Sequence, residues 1–168
     1  MEIEVKILEV DPQQVIATLQ SHRAERLFDG TLTTVFFDRE TSLRDSGTTL
    51  RVRSDGKGCV LAVKVLRDSD AYKQSEEYEF SGSLDDALAA LRALGFEEYA
   101  RSEKHRSSYR LGDVRFDIDR YLDDTFVPPF LELEGEPGAI ENAIVELGLS
   151  EHTRVSWSGY ELRQHYRR

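Results

Sequence analysis

Apolar and polar residues alternate with period two along several short runs of this chain. Residues 2–10 set Glu2, Glu4 and Lys6 against Ile3, Val5 and Ile7. Alternate residues of a strand share a face, so this run predicts a strand with one charged side and one apolar side. Leu50 to Arg53 and Cys59 to Val65 read the same way, with Asp55-Gly56-Lys57-Gly58 as the hairpin loop between them. Glu76 to Phe80, 96–101, 103–111, 113–121 and Phe130 to Gly135 predict further strands, and 24–38 one or two more. A period near four predicts helices elsewhere. Val15, Ile16 and Leu19 follow Asp11 as N-cap and Pro12 at the first helical position. Leu84, Leu88, Leu91 and Leu94 follow Ser83, with Asp86 as its acidic partner, and Gly95 ends the stripe. Ile140, Ile144 and Leu147 mark a third helix stopped by Gly148, and Ser158 with Glu161 forms a capping box for a fourth. Asp45-Ser46-Gly47 reads as a turn, 67–74 as a polar loop, and Val127-Pro128-Pro129 as a break. No linker or composition shift divides 1–168. The pattern predicts a single α+β domain, a mostly antiparallel sheet with helices on its apolar face.

The charged face carries the chemistry. Glu-x-Glu occurs three times, at Glu2 and Glu4, Glu77 and Glu79, and Glu132 and Glu134, each time followed by a predicted helix, and the order Glu-x-Glu strand, helix, then further strands forms a weak internal repeat. Arg51 and Arg53, and Lys104 and Arg106, show the same spacing; Lys64, Arg115, Asp117 and Asp119 share the parity. A solvated face holding cross-strand ion pairs, each worth about 0.2–1 kcal/mol, is the plain alternative. Such a face would alternate its signs. Here like charges neighbour one another along each strand, and crowded carboxylates take up protons unless a cation lies between them. The pattern favours a cavity for a divalent metal and a polyphosphate, the requirements of phosphoryl transfer.

Composition narrows the partners. The 168 residues include 22 Lys and Arg against 32 Asp and Glu, a net charge of −10. That field repels nucleic acid and anionic membranes, so an anionic substrate must meet a local reversal of sign or arrive with a metal. Cys59 is the single cysteine, which excludes an internal disulfide and fits a reducing compartment. No apolar run spans a bilayer, and the N-terminus leads directly into a charged strand. The expectation is a cytoplasmic protein acting on a small molecule, with no nucleic acid or membrane partner; a homodimer is compatible with the sequence. His22, His105, His152 and His165 lack metal-binding spacing, Trp157 and Tyr160 read as packing residues able to close one end of a cavity, and the basic tail to Arg168 reads as a solvated helix end.

Taken in order, these motifs resemble those of the CYTH proteins, also called triphosphate tunnel metalloenzymes. Glu2-Ile3-Glu4-Val5-Lys6 is similar to the N-terminal signature of that family. Phe36-Phe37-Asp38, Leu50-Arg51-Val52-Arg53, Leu61-Ala62-Val63-Lys64, Glu77-Tyr78-Glu79, Lys104-His105-Arg106 with Tyr109, Ile118-Asp119-Arg120-Tyr121 and Pro129-Phe130-Leu131-Glu132-Leu133-Glu134-Gly135 resemble its later ones, with Ala62 in place of the usual Thr. The resemblance implies an eight-stranded antiparallel β-barrel, or tunnel, with helices packed outside. It implies that Lys6, Arg51, Arg53, Lys64, Lys104 and Arg106 bind a triphosphate. It implies that Glu2, Glu4, Glu77, Glu79, Asp119, Glu132 and Glu134 hold one or two ions of Mg2+ or Mn2+, with Asp117 a further candidate, and that Glu2, Glu4 and Lys6 act in catalysis. The activity implied is hydrolysis of tripolyphosphate, a nucleoside triphosphate or thiamine triphosphate. The same residues are compatible with a class IV adenylate cyclase, making cyclic AMP and pyrophosphate, and with a non-catalytic sensor of polyphosphate or nucleotide.

Overall fold

The computed structural model describes residues 1–68 and 70–167. Ser69 of the polar loop and Arg168 of the basic tail lie outside the described residues. The chain forms β1 (Glu2–Ile7), α1 (Pro12–Ser21), β2 (Glu25–Asp38), α2 (Ser42–Asp45), β3 (Thr48–Ser54), β4 (Cys59–Asp68) and β5 (Lys73–Gly82). It continues through α3 (Leu84–Ala93), β6 (Glu97–Leu111), β7 (Val114–Tyr121), β8 (Phe130–Glu134), α4 (Pro137–Glu146), β9 (Arg154–Val155) and α5 (Gly159–Tyr166).

Strand order is β5-β4-β3-β2-β6-β7-β8-β1-β9, and β1 pairs with β5 as well. On one edge β1 meets β8. On the other it meets β5 through Glu2 to Glu4 and the short β9 through Lys6 and Ile7. Eight antiparallel strands therefore close into a ring, with β9 outside the circuit. Closure runs through three residue pairs, Glu2↔Ser75 to Glu4↔Lys73, beyond which Glu76 to Gly82 of β5 pair with β4 alone, and it divides the strand parity into an interior and an exterior.

The exterior is apolar because helices cover it. Val15 and Leu19 of α1 and Ile140, Ala143 and Ile144 of α4 pack with Val5, Ile7, Phe116, Ile118, Leu131 and Leu133. Leu91 of α3 joins Val35, Phe37, Leu50, Val52 and Cys59 in a second cluster, with Leu84 and Leu88 at its margin. Leu162 of α5 packs with Leu8, Tyr121, Val127 and Phe130 in a third cluster, which lies at one end of the ring, since Tyr121 and Phe130 share the inner parity. Asp11 caps α1 by accepting from Gln13 N and Gln14 N, and Ser158 with Glu161 closes a reciprocal capping box on α5.

Local departures from the sequence pattern have local causes. Strand β1 ends at Ile7, before residue 10, because Glu9 adopts a positive φ of 56°. The 24–38 stretch holds one strand, Glu25–Asp38, and the two expected at 96–101 and 103–111 are one, Glu97–Leu111, because β2 and β6 pair continuously from Glu25↔Arg110 to Asp38↔Glu97 with two register shifts. Helix α2 forms ahead of the Ser46-Gly47 turn because buried Asp38 accepts from the backbone N–H groups of Leu43 and Arg44. The 67–74 loop shrinks because the β4–β5 ladder reaches Asp68↔Gln74.

Leu133 is fully buried between β8 and the α1–α4 layer. Leu133→Ala should cost about 2–5 kcal/mol of stability through the cavity it leaves, read as a lowered midpoint in urea with an unchanged slope. An unaltered midpoint would contradict the packing described.

Candidate functional site inside the ring

Interior parity gathers the charged residues. Glu2, Glu4 and Lys6 of β1 face inward, and Glu4 and Lys6 are buried although fully charged side chains seldom are. Register carries the parity round the ring: Lys6 faces Glu132, Glu132 faces Asp117, Arg106 faces Asp119, Arg51 faces Ala62, and Lys64 faces Glu77. Every site residue read from the sequence lies on this inner face.

Their contacts form two linked networks. Lys6 Nζ lies 2.8 Å from Glu4 Oε1 and 3.0 Å from Glu132 Oε2. Lys64 Nζ donates to both oxygens of Glu2, at 2.7 and 2.5 Å, and lies 3.2 Å from Glu77. Arg106 grips Asp119 with two bonds, Nε to Oδ1 at 2.7 Å and Nη2 to Oδ2 at 2.6 Å, and its Nη1 donates to Asp117. Lys104 Nζ reaches Asp119 Oδ2 at 2.5 Å. Arg51 pairs with Glu77 at 3.1 Å, and Arg53 has Glu79 at 3.7 Å.

The expected crowding of like charges is real along each strand and recurs across strands at Glu4↔Glu134 and Asp117↔Glu132, but Lys6↔Glu132, Arg106↔Asp119, Lys64↔Glu77 and Glu4↔Lys73 set opposite charges side by side. Most carboxylates are therefore neutralised by protein cations and need no ion between them. Burial and Glu132 push the Glu4 carboxyl up, yet Lys6, Lys73 and Lys64 outweigh them and hold it at about 2. Against burial, Lys6, Arg106 and Lys104 likewise hold Glu132 well below the usual carboxylate range. Glu134 is the exception. Burial and the neighbouring Glu2 push it up to about 7 against the pull of Arg115 and Lys64, and no cation among the described residues lies in ion-pair range of it.

The basic set has its own strain. Burial and then Arg106 lower Lys104 to about 8, and burial with Arg51 and Arg106 lowers Arg53 to about 10. Arg51 Nε is buried and finds no hydrogen-bond acceptor among the described residues. A buried donor without an acceptor is costly, and an entering anion would satisfy it.

Three further residues belong to the site. Lys73 Nζ lies 2.8 Å from the same Glu4 oxygen that Lys6 holds. Ser75 Oγ donates to Glu2 Oε2 at 3.0 Å. Arg115 Nε donates to Asp117 at 3.0 Å at the rim. Lys73 and Ser75 stand four and two residues before Glu77, on its own parity, and a strand begun three residues earlier would have exposed them.

One end of the ring is covered. Arg163 of α5 stacks 4.2 Å from the Tyr121 ring centre and lies 2.6 Å from Asp124. Tyr121 continues the inner face, opposite Lys104. Trp157 packs into this cluster, as expected, whereas Tyr160 is exposed. The opposite end opens into a cavity of about 530 Å³ whose lining includes Arg53, Arg106 and Arg115.

Among the described residues, no three carboxylate, histidine or cysteine side chains already converge as a metal cage. The donor chemistry nevertheless fits a hard cation. Glu4 stands directly opposite Glu134, and burial together with Glu2 keeps a proton on Glu134 near neutrality. Oxygen donors that compete for a proton are the partners Mg2+ and Mn2+ prefer. Glu2, Glu4 and Glu134 fit such an ion best. Asp119 is held by Arg106 and Lys104 and Glu132 by Lys6 and Arg106, as Glu2 is by Lys64 and Glu4 by Lys6 and Lys73. What sets Glu2 and Glu4 apart is their position beside Glu134, which has no ion pair among the described residues. His22 sits at the end of α1, and Cys59 belongs to the outer core.

Comparison with known proteins accords with this geometry. A CYTH domain family model matches residues 1–158. No curated protein matches. Among solved structures, a conserved protein from Pyrococcus furiosus shares 21% identity at a TM-score of 0.77, over 96% of this chain and 99% of that one. A candidate adenylyl cyclase from Hippeastrum that shows a dominant triphosphatase activity shares 18% identity at a TM-score of 0.73, over 98% and 96% of the two chains. A candidate adenylate cyclase from Vibrio parahaemolyticus shares 20% identity at a TM-score of 0.76, over 97% of each. At these identities the structural likeness carries the fold.

The raised Glu134 predicts a pH effect. Its ordinary value is 4.5, so between 4.5 and about 7 the folded protein holds a proton that the unfolded chain has released. That group's contribution to stability falls as pH rises through this window. In chelator, the thermal midpoint of wild type should fall more steeply from pH 5 to 7.5 than that of Glu134→Gln. Equal slopes would contradict the environment described.

Proposed function

The chain belongs to the CYTH domain family, and from that premise we propose that it is a divalent-metal-dependent hydrolase of a triphosphate-containing substrate held inside the ring. The observation that carries this reading is the convergence of cations from four strands, β1, β3, β4 and β6, on one enclosed interior that also holds the Glu-x-Glu carboxylates. Phosphoryl transfer asks little covalent work of a protein; positioning and charge stabilisation supply most of the rate.

Each residue then has a task. Arg51 and Arg53 are the least neutralised cations and would take phosphate oxygens first, the free Nε of Arg51 gaining its acceptor. Lys64, Lys104 and Arg106 would close on the triphosphate from the other walls, and Lys6, held charged by Glu4 and Glu132, would steady the terminal phosphate. Glu2 and Glu4, with Glu134, would hold Mg2+ or Mn2+; Glu77 and Glu79 orient Arg51 and Arg53. A bound divalent ion supplies charge neutralisation and polarises phosphoryl oxygens. The side chains orient the phosphates and, where the ring is sealed by α5, exclude water from all but the reacting position.

Hydrolysis is favoured over cyclisation because the solved relative from Hippeastrum is described with a dominant triphosphatase activity. The test is product analysis. With ATP and Mg2+ or Mn2+, orthophosphate is expected, activity should vanish in chelator, and Glu4→Gln should lower turnover by two orders of magnitude or more while leaving the fold intact. Cyclic AMP with pyrophosphate would turn the reading to a cyclase, and binding of a triphosphate analogue without turnover of any triphosphate would turn it to a sensor.

Binding and turnover should separate by residue. Arg51→Ala or Arg106→Ala should weaken a non-hydrolysable triphosphate analogue by roughly one to two orders of magnitude, the worth of a charge-assisted hydrogen bond of about 1.5–3 kcal/mol. Glu2→Gln should spare metal-free binding, because it removes a negative charge from the path of an anion. Calorimetric titration at fixed ionic strength reads both, and wild-type affinity in both arginine variants would place the anion elsewhere.

A further inference from the structure

Glu4 has Lys73 opposite it on β5 and Glu134 opposite it on β8. Two ammonium groups hold one of its oxygens: Lys6 Nζ and Lys73 Nζ both lie 2.8 Å from Oε1. A carboxylate oxygen offers roughly two lone-pair sites, so this pair of lysines fills that oxygen.

The cations around the Glu2 and Glu4 carboxylates differ in what else they hold. Lys6 also reaches Glu132 at 3.0 Å, and Lys64, which grips Glu2, also reaches Glu77 at 3.2 Å. Either can give up one carboxylate and stay paired. Among the described residues Lys73 makes a single ion pair, the one to Glu4. Were Glu4 to turn to another cation, Lys73 would stand part-buried and unpaired beside a second positive charge. Desolvation and repulsion both oppose that arrangement.

The backbone fixes Lys73 in place. The residue opens β5 in one of the three pairs that close the ring. Ser75, two residues on and on the same face, donates to Glu2 at 3.0 Å. On the other side, Tyr72 packs against the core beneath α1 and α4 and donates its hydroxyl to Glu141, which Arg154 also holds at 3.0 and 2.9 Å. The chain is pinned before and after Lys73, so only the side chain moves. Its flexible four-carbon stem lets the ammonium swing to a new acceptor. The Lys73 side chain is 18% exposed and that of Lys6 5%, which makes Lys73 the one with room to leave Glu4.

We propose that Lys73 stands in for the divalent cation on Glu4 until an anion enters the ring, and that binding is therefore ordered, polyphosphate before metal. The proposal rests on the reading that Glu2, Glu4 and Glu134 hold the metal, and it adds the residue that guards them. Lys73 is a positioning residue that acts through Glu4. Before an anion arrives, its ammonium satisfies Glu4 and keeps a divalent ion off the carboxylates. An anion inside the ring gives the ammonium another acceptor, Glu4 is released, and the carboxylates become available to the ion. Were Lys73 only a counter-charge for a buried carboxylate, removing it would weaken the fold and leave the affinity for metal no better.

The test titrates the full chain with Mn2+ alone, in phosphate-free buffer, and reads free Mn2+ by electron paramagnetic resonance. Wild type is compared with Lys73→Met, Lys73→Gln, Lys73→Arg, Glu4→Gln and the double variant Lys73→Met with Glu4→Gln; thermal midpoints check that each is folded. The expected result is weak binding to wild type and to Lys73→Arg, binding roughly tenfold or more tighter to Lys73→Met and Lys73→Gln, and no gain in the double variant. Inorganic tripolyphosphate in chelator should bind wild type in a calorimeter, since the anion comes first. Equal Mn2+ affinity in wild type and both neutral variants, a gain that survives Glu4→Gln, a gain in Lys73→Arg as large as in Lys73→Met, or tight Mn2+ binding to wild type on which tripolyphosphate binding depends would overturn the proposal and leave the triphosphate reading standing. If Mn2+ binds none of these proteins, and tripolyphosphate with Mn2+ leaves the wild-type thermal midpoint unmoved, the triphosphate and metal site itself falls, and this inference with it.

Discussion

Charge buried inside a closed ring is the constraint on which the rest of this molecule depends. A carboxylate or ammonium withdrawn from water is costly unless it is paired and hydrogen-bonded. Here many are withdrawn at once: Glu4, Lys6, Arg106, Asp117 and Asp119 are all buried. The fold tolerates them because register sets Lys6 against Glu132 and Arg106 against Asp119, and Arg106 and Arg115 reach Asp117 from positions out of register. Most of the hydrophobic stabilisation comes from the other face, where α1, α3 and α4 cover the ring, while α5 packs over one end of it. The two tasks are separated by strand parity alone.

Pairing of this kind is poised for exchange. Lys6 and Lys73 share one oxygen of Glu4, and Lys64 is divided between Glu2 and Glu77. A triphosphate offers these cations better acceptors, and a divalent ion offers the released carboxylates a better partner. Binding both together keeps every charge matched, which binding either alone does not. Arg51 Nε, with no acceptor among the described residues, and Glu134, holding its proton near neutrality, mark where the protein's own pairing is incomplete. They lie on the sides where the anion and the cation are expected.

Much of this was legible in the sequence because parity is a local property. Glu2, Glu4 and Lys6 alternate with Ile3, Val5 and Ile7, and no register needs to be known to place them on one face. The same logic found Arg51, Arg53, Lys64, Lys104 and Arg106. Partners were not legible, since Lys64 meets Glu2 across 62 positions of sequence. Without them, like charges along a strand looked uncompensated, when in space most are paired with a cation from another strand. Lys73 was hidden by the polar composition of 67–74, which reads as a loop although β4 reaches Asp68 and β5 begins at Lys73. Phe28 and Leu32 were hidden for the opposite reason: an apolar residue in a strand is taken for the core, and only the closed ring shows that these two look inward.

The central claim is that triphosphate and divalent cation replace the protein's internal ion pairs inside the ring. The most direct measurement is the anomalous diffraction of Mn2+ in crystals grown with a non-hydrolysable triphosphate analogue. The account predicts a manganese peak inside the ring beside Glu2, Glu4 and Glu134, with phosphate density against Arg51, Arg53 and Arg106 and the Lys64–Glu2 pair opened. Manganese and phosphate bound only outside the ring, with every internal pair intact, would contradict it.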